Sequence, residues 1–416
     1  MFHVFAGLLA LYVLWRLVWC LDWSWPAKTL VSAIVLLLTQ HHLINRTFFG
    51  SMASPEVPGV VIMLGGWAFG SVLMAACLLL VVDVASGIAS GVAWALAQAR
   101  PGDAAGDDSE APMTGRTARL LGSAAGLPRP VAGSRQSRGP RRGLALRWGV
   151  AVAAMLLAAF GVREAVRLPD IHTVEIVLPG LPAGLDGFRL VQLTDLHASR
   201  LLQQDWMAAV VEATNALEPD LIVLTGDLAD GSVRARADDV EPLRKLTAPQ
   251  GVYAIPGNHE YYTEYRQWLD RLRELDLRLL LNEHAVLQME GGTLVLAGVT
   301  DPAASRFGEP LPDIAAALAG VAADEPVILL SHRPTGAGAH ASAGARLQLS
   351  GHTHGGQIAG LHWITQWANE GYVAGLYDVD GMRLYVSSGA GLWNGLPLRV
   401  GRPSEITEII LRAPRQ

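Results

Sequence analysis

Four long apolar runs dominate the first 163 residues, at about 1–22, 29–45, 58–97 and 144–162. A helix needs about 20 mainly apolar residues to span a bilayer. The third run suffices for one span with a protruding end, or for two spans that fold back near Gly87. We favour one span at about 58–82, because 83–97 is short for a second. The runs predict a bundle of four or five transmembrane helices, since they leave almost no polar face to meet water.

The pattern changes at about residue 173, where short β-branched and leucine-rich runs alternate with amphipathic helical stretches. Strands are predicted at 188–193, 221–225, 252–255, 327–331 and 347–350, and helices near 204–217, 261–275 and 311–320. Residues 372–389 predict a β-hairpin with its turn at 378–381, and residues 405–411 predict a closing strand. This alternation is typical of an α/β domain with a largely buried sheet and helices on its faces.

Composition and charge separate the two parts of the chain. Only 17% of the 416 residues are charged, whereas soluble proteins carry about 25%. Residues 1–163 hold 13 Lys and Arg against 7 Asp and Glu, but residues 164–416 hold 19 against 31. The acidic second part argues against nucleic-acid binding, which uses clustered Lys and Arg. The two cysteines, Cys20 and Cys77, lie in apolar runs and exclude both a disulfide framework and a Cys-rich zinc site.

A linker at 98–146 separates the transmembrane helices of residues 1–97 from a last transmembrane helix at 144–163. It is rich in Gly, Ala, Ser and Pro, as loops are. It also carries the arginines Arg100, Arg116, Arg119, Arg129, Arg135, Arg138, Arg141 and Arg142, with Arg147 at the membrane edge. Because Lys and Arg near span ends mark the cytoplasmic side, we expect a cytoplasmic linker. The protein would then be a multi-pass protein of the cell membrane, with residues 168–416 outside the cytoplasm.

Polar residues follow five of the predicted strands. They read Asp195-Leu196-His197, Gly226-Asp227, Gly257-Asn258-His259-Glu260, Ser331-His332-Arg333 and Gly351-His352-Thr353-His354. In open α/β sheets ligands bind beyond the carboxyl ends of the strands, so these clusters can converge on one place. Asp and His without thiolates suit Mn, Fe, Zn or Co ions. A carboxylate such as Asp227 can bridge two metals, a pair that promotes phosphoryl transfer.

These motifs, in this order, resemble the calcineurin-like metallophosphoesterase superfamily over about 187–412. The tail Gly-Gly-Gln-Ile at 355–358, with the segments 371–377 and 384–391, resembles its membrane-associated bacterial branch. The resemblance implies a four-layer α/β/β/α sandwich at 168–416, here preceded by the transmembrane bundle. It also implies a hydrolase of phosphomonoesters or phosphodiesters that uses two divalent metal ions, of which we favour manganese.

The resemblance further implies a role for each site residue. One metal would be held by Asp195, His197, Asp227 and His354, and the other by Asp227, Asn258, His332 and His352. Asp227 would bridge them together with a water or hydroxide that attacks phosphorus. His259 matches the catalytic histidine that protonates the leaving oxygen or stabilises the phosphoryl group. Asp230 stands where phosphoprotein phosphatases have an aspartate that orients this histidine.

The sequence departs from those phosphatases at Gly231, where they have an arginine that grips phosphate. A protein-phosphatase role is therefore disfavoured. Arg333 either replaces that grip or is a solvated arginine. We expect Glu260 to cap the helix that begins near 261 rather than to act in catalysis, since acidic residues favour helix N-termini.

The favoured function is a membrane-anchored phosphohydrolase whose substrate is a phosphoester near the bilayer, such as a lipid or an envelope-glycan intermediate. A membrane sensor or scaffold with a catalytically silent phosphoesterase fold is the alternative from another class. The complete ligand set argues against it, because a binding module does not need one. A transporter is disfavoured by the small number of spans.

Overall fold

The computed structural model describes residues 2–49, 54–98, 140–393 and 395–415. Most of the linker predicted at 98–146, including its arginines up to Arg138, lies outside the described residues. The described part of residues 1–166 forms five helices, which are α1 (Phe2–Leu17), α2 (Trp25–Thr39), α3 (His41–Phe48), α4 (Gly59–Gln98) and α5 (Pro140–Val166). α4 is continuous through Gly87, as the favoured single span requires.

Among the described residues, two helices are long and apolar enough to cross a membrane, over Gly59–Leu96 in α4 and Leu144–Val166 in α5. α2 and α3 together make a third candidate only if this pair, which is bent by 55°, is a single span. The apolar part of α1, His3–Leu17, is shorter than a full span. By length and composition, the described helices thus supply fewer spans than the four or five predicted.

The C-terminal part contains two six-stranded sheets. Its strands are β1 (Asp170–Val177), β2 (Arg189–Leu193), β3 (Leu221–Thr225), β4 (Val252–Ile255), β5 (Arg278–Leu279), β6 (Glu283–Met289), β7 (Gly292–Gly298), β8 (Val327–Leu330), β9 (Leu347–Ser350), β10 (Gly375–Val379), β11 (Met382–Val386) and β12 (Glu405–Arg412). The first sheet has the order β1-β12-β2-β3-β4-β5, and the second has the order β10-β11-β9-β8-β7-β6. β2 to β5 are mutually parallel, as are β7, β8, β9 and β11.

Seven further helices accompany these sheets among the described residues. They are α6 (Gln204–Asn215), α7 (Val233–Val240), α8 (Asn258–Tyr262), α9 (Tyr265–Glu274), α10 (Ile314–Ala317), α11 (Ala337–Ser342) and α12 (His362–Ala368). α9 is amphipathic, because Tyr265, Trp268, Leu269 and Leu272 recur at helical spacing and are buried. Its polar face meets water.

The two sheets pack face to face between layers of helices. Residues of both sheets, such as Val223 of β3 and Leu349 of β9, share one buried apolar cluster. The outer face of the first sheet packs on α6 and α9, and that of the second sheet packs on α10 and α11. The predicted four-layer α/β/β/α sandwich is therefore confirmed. All five residues of β3 are buried, as expected for a parallel strand covered on both faces.

The predicted elements include eight of the twelve strands but miss β1, β5, β6 and β7 and some of the helices. The strands predicted at 221–225, 252–255 and 347–350 have the predicted bounds. The helix predicted at 261–275 is wrong as one element, because the chain leaves helical geometry at Thr263 and forms α8 and α9 instead. The predicted closing strand is β12, which lies inside the first sheet between β1 and β2.

The apolar helices pack directly on the C-terminal part. Ile358 and Leu398 lie in one buried cluster with Phe69 of α4 and Ala158 of α5. α5 approaches closely at Gly161, where a Cβ atom would lie 2.8 Å from side-chain atoms of Leu398. The part of the chain with the site motifs is thus seated on the helices rather than tethered at a distance.

α4 and α5 run antiparallel. The indole Nε1 of Trp67 near the start of α4 donates to the carbonyl of Met155, 3.0 Å away in the second half of α5. The start of α4 and the end of α5 both lie beside the sandwich, because a Cβ at Gly59 would lie 2.8 Å from the carbonyl of Arg200 and a Cβ at Gly161 would lie 2.8 Å from the side chain of Leu398. At the opposite half of α4, Asp83 pairs with Arg16 of α1 and accepts a 2.8 Å hydrogen bond from Tyr12. Arg16 and Asp83, which lie inside the first and third apolar runs, thus satisfy each other, as charges at membrane depth usually do.

The segment between α3 and α4 also contacts the sandwich. The Ser54 hydroxyl donates to the backbone carbonyl of Asp230 over 3.0 Å. Glu56 pairs with Arg200 at 2.8 Å and with the buried Arg236. Arg236 itself donates to the carbonyl of Asp230. This segment therefore braces the loop that carries Asp230.

Candidate metal centre

The predicted site residues lie in the segments that directly follow β2, β3, β4, β8 and β9, with Asn258 and His259 at the start of α8. Since β2, β3 and β4 are parallel, and so are β8 and β9, the carboxyl ends of each group lie at one edge of a sheet. The two edges meet, which brings together seven side chains that are up to 159 positions apart. They are Asp195, His197, Asp227, Asn258, His332, His352 and His354.

Five of these residues adopt left-handed backbone conformations that side-chain-bearing residues rarely use. They are Asp195, His197, Asp227, His352 and His354, with φ between 45° and 69°. Each such conformation costs on the order of 1–3 kcal/mol and persists only when the surroundings impose it. Neighbouring glycines permit the close packing, since a Cβ at Gly351 would lie 2.2 Å from the carboxylate of Asp195. The concentration of strain marks this edge as functional.

One cluster is formed by Asp195, His197 and His354, whose ligand atoms lie within 4.8 Å of one another. The Nε2 atoms of the two histidines are 3.1 Å apart, and Nε2 of His354 is 3.4 Å from Oδ1 of Asp195. All three residues are buried. Two imidazoles and a carboxylate that point at one another in this way form a donor set for a divalent cation.

A second cluster is formed by Asp227, His332 and His352. Nδ1 of His332 lies 2.8 Å from the carbonyl of Thr225, which assigns the proton to Nδ1 and directs Nε2 towards the site. This buried Nε2 makes no hydrogen bond within the described part of the chain, and it lies 3.2 Å from Oδ2 of Asp227. Such an orphaned nitrogen beside a carboxylate fits a metal ligand.

Asp227 lies between the two clusters. Its Oδ2 atom is 3.2 Å from Nε2 of His332 in one cluster and 3.8 Å from Nε2 of His197 in the other. Its Oδ1 atom accepts a 2.8 Å hydrogen bond from the backbone N–H of His259. Burial opposes the charged form of Asp227, but the surrounding histidines outweigh it and hold its pKa well below the usual range. The carboxylate is thus ionised and placed to contact both positions.

Asp230 connects two histidines of the site. Its Oδ1 atom lies 3.0 Å from Nδ1 of His197 and also bonds Nδ1 of His259. The predicted pairing of Asp230 with His259 is thus present, and the contact with His197 is an addition that the sequence did not indicate. Burial lowers the pKa of His259, but Asp227 and Asp230 outweigh it and raise that pKa to about 9. The second ring nitrogen of His259, Nε2, faces the site, 3.9 Å from Oδ2 of Asp227.

Glu260 is a buried helix cap, in agreement with the sequence expectation. Its Oε2 atom accepts a 2.7 Å hydrogen bond from the N–H of Gly257, the residue before α8. Its two oxygens also accept hydrogen bonds from the N–H groups of Asp227 and Leu228. One fully buried carboxylate therefore holds together the segments that carry Asp227 and Asn258.

Arg333 is held in place rather than freely solvated. Its Nε donates to the buried Asp301 at 2.9 Å, and one Nη atom lies 3.3 Å from Oδ1 of Asn258. Its side chain is 27% exposed, so it reaches the open side of the site. Gly231 has a φ of 110°, a conformation that side-chain-bearing residues rarely adopt. An arginine therefore does lie beside the site, but it is Arg333 in the loop after β8 and not a residue at position 231 in the loop after β3.

Arg399 is a site neighbour that the sequence reading missed. It is 1% exposed and donates to the carbonyls of Gly391 and Ser388 at 2.7 and 2.8 Å. It also contacts the carbonyl of His354 at 3.3 Å. Burial lowers the pKa of Arg399 to about 10. A lone arginine between Leu398 and Val400 carries no motif, so no local signal marked it as the support of the His354 loop.

Comparisons with known proteins identify the family of the chain. A family model described as Calcineurin-like phosphoesterase matches residues 188–356. The chain is 37% identical over 280 residues to an uncharacterized metallophosphoesterase of Helicobacter pylori strain J99, with 66% of this chain and 73% of that protein covered. It is 30% identical over 261 residues to an uncharacterized metallophosphoesterase of Aquifex aeolicus, with 62% of this chain and 97% of that protein covered.

A vertebrate relative also matches this chain, although about a third of its own length lies outside the match. The chain is 36% identical over 285 residues to the Bos taurus protein named Transmembrane protein with metallophosphoesterase domain. The match covers 65% of this chain and 64% of that protein, so it spans less than two thirds of the bovine relative. Its name agrees with the apolar helices found here and suggests membrane association. From the family match and the coverage of the bacterial relatives, together with the clustered Asp and His side chains, the chain belongs to the calcineurin-like metallophosphoesterase family.

Proposed function

We propose that this protein is a membrane-anchored phosphohydrolase that cleaves phosphoester bonds at a site for two divalent metal ions. The placement of Asp227 between two buried clusters of His and Asp carries the proposal. Asp195, His197 and His354 would hold one ion, and Asn258, His332 and His352 the other, with Asp227 shared. When bound, two such ions supply an acidified water and offset the charge that develops on the phosphoryl oxygens.

The protein residues around the ions would orient the substrate and supply a proton. His259 is held through Nδ1 by Asp230, which leaves Nε2 as the atom that donates to the leaving oxygen. Its raised pKa keeps the ring protonated at neutral pH. Bound dications would oppose the two carboxylates and move this pKa towards neutrality, where a general acid works best. Asp230 positions His259 and His197 at once.

Hydrolysis of generic esters tests the proposal. The full-length protein in lipid nanodiscs should hydrolyse nitrophenyl phosphate or bis(nitrophenyl) phosphate when Mn²⁺ is added, and chelation should abolish the activity. The full chain is preferable to a fragment of residues 168–416, because Leu398 and Ile358 would lose their apolar cover. Protein that binds two metals and hydrolyses neither ester would support the silent sensor or scaffold instead.

We further propose that Arg333 binds the phosphoryl group of the substrate. Arg333→Ala should lower kcat/KM by roughly 10- to 100-fold, mainly through KM, because charge-assisted hydrogen bonds contribute about 1.5–3 kcal/mol. Metal content should not change. The matched control is Arg266→Ala, since the Arg266 side chain is 80% exposed and pairs with Glu309. An unchanged KM, or a loss of metal from the Arg333 variant, would contradict this role.

The site is proposed to lie outside the cytoplasm. The arginines of the predicted linker favour a cytoplasmic location for that segment. The antiparallel packing of α4 and α5, with the sandwich at the end of α5, supports opposite sides for the linker and the site. The substrates would then be phosphoesters on the membrane surface that faces away from the cytoplasm, or phosphoesters of the envelope. A phosphoester borne by a lipid is favoured, because lipids are the molecules nearest to the site.

Reporter fusions test this orientation. A reporter that is active only outside the cytoplasm should be active when fused after residue 170 and silent when fused near residue 120. Replacing the linker arginines with neutral residues should weaken the difference, because the bias comes from Lys and Arg near span ends. Activity at 120 and silence at 170 would place the site in the cytoplasm.

A further inference from the structure

α12 carries an apolar face that the sandwich does not use. Trp363, Ile364 and Trp367 are 67%, 65% and 85% exposed. Ile364 and Trp367 follow Trp363 by one and four positions, which puts the three side chains on one side of the helix. Single exposed apolar residues are ordinary on a protein surface, but a contiguous group with two tryptophans marks an interaction site.

The chain before α12 is anchored on the apolar helices. Ile358 is 4% exposed and belongs to the cluster that contains residues of α1, α4 and α5. Leu361, the residue before α12, packs against the same cluster. α12 therefore begins where the sandwich meets the membrane bundle.

The depth of this junction follows from α5. Ile358 pairs with Val400, whose side chain would lie 2.8 Å from a Cβ at Gly161 of α5. Two residues later Arg163 is 76% exposed, as expected where a span leaves the hydrocarbon. Two residues of helix rise only about 3 Å. α12 thus starts at the level of the membrane surface, where tryptophan is the favoured side chain.

α12 is also attached to the metal centre. A Cβ at Gly356, two residues after the ligand His354, would lie 2.5 Å from the backbone of His362, the first residue of α12. The turn that carries His354 and the start of α12 are therefore in direct contact. Any surface that binds the exposed face of α12 would therefore lie beside the site.

We propose that the Trp363–Ile364–Trp367 face of α12 inserts into the interfacial layer of the adjoining leaflet, and that the site acts on phosphoesters borne by membrane lipids. The second half of this statement rests on the proposed function, whereas the insertion does not. The apolar face provides membrane contact in the manner of short interfacial helices. The neighbouring spans supply the main anchor, so the helix sets the distance and tilt of the site.

Lipid quenching tests the insertion without any activity. Trp367→Cys in a Cys20→Ser, Cys77→Ala background is labelled with an environment-sensitive fluorophore, and the full chain is placed in phosphatidylcholine nanodiscs. Nitroxide-labelled phosphatidylcholine should quench this probe several-fold more than a probe at Val286→Cys. Val286 is a matched control, since it is 50% exposed and apolar and lies on the edge strand β6. Equal quenching at the two positions would overturn the insertion.

Kinetics test the lipid substrate. In Trp363→Ser, Ile364→Ser, Trp367→Ser, KM should rise several-fold for a long-chain alkyl nitrophenyl phosphodiester carried in phosphatidylcholine vesicles. KM for bis(nitrophenyl) phosphate in solution should not change, because the three side chains are exposed and outside the metal clusters. An unchanged KM for the vesicle-borne ester would overturn the lipid assignment. Absence of hydrolysis of both esters by the parent protein would refute the proposed function instead, and the quenching result would stand.

Discussion

Asp227→Asn should abolish most of the activity and lower the metal content of the protein. A neutral amide attracts two cations poorly, whereas the buried carboxylate faces both clusters. Loss of an outer-shell partner alone typically costs 10- to 100-fold in metal affinity or activity, so the loss of a shared ligand should exceed roughly 100-fold. The substitution keeps the size of the side chain and an oxygen for the N–H of His259, which should preserve the fold.

The measurement is metal analysis of the purified variant together with its turnover of a nitrophenyl ester. Asp238→Asn is the matched control, because Asp238 is an exposed carboxylate of α7 outside the candidate clusters. It should keep both metals and full activity. Near-normal turnover of the Asp227 variant, with two metals still bound, would reject the shared position of this carboxylate.

His259→Ala or His259→Gln should slow turnover by roughly 10²–10⁴ while both metals stay bound, which is the usual size of a general-acid contribution. The histidine is held by Asp230 and its side chain is 13% exposed, so it can reach a leaving group. The loss should shrink for nitrophenyl esters, because an activated leaving group departs without a proton. It should be largest for alkyl esters.

Two measurements check this role. The ratio of alkyl to nitrophenyl turnover should fall sharply in the variant, and metal content should match that of the parent protein. His284→Gln serves as control, because His284 bonds the carbonyl of Ala317 outside the metal clusters. Metal depletion in the His259 variant would make His259 a ligand and would contradict its assignment as an acid.

The linear order of the chain was enough to predict an α/β domain with candidate site residues at its strand ends, and the four-layer sandwich followed from the family resemblance that those residues carry. Each predicted ligand follows a short apolar strand by one to four positions, as Asp195 follows Leu193 and Asp227 follows Thr225. Strand periodicity is local, and the carboxyl ends of parallel strands must share an edge. The residues that follow parallel strands can therefore be expected to lie close to one another. The apolar runs predicted the helices of the first part of the chain, because apolar spans need only length and composition, but the described helices supply fewer full-length spans than the four or five predicted.

Contacts between distant segments were decided by the tertiary structure alone. Asp230 contacts His197 as well as His259, and Arg399 supports the loop of His354 across 45 positions. Ser54 reaches Asp230 from 176 positions away. These partners carry no periodicity and no motif, since a buried hydrogen bond needs only two atoms brought together by the fold.

The same holds for the apolar face of α12. In the sequence Trp363, Ile364 and Trp367 look like ordinary core residues, because a short apolar segment does not reveal which side it will bury. These three side chains stay exposed in the fold. The residues that pack on the apolar helices are those of the preceding loop, such as Ile358. Local pattern thus determined which residues are candidates for chemistry here. Only the tertiary structure decided that the sandwich is seated on the apolar helices beside the candidate site, because this contact depends on surfaces assembled from both ends of the chain.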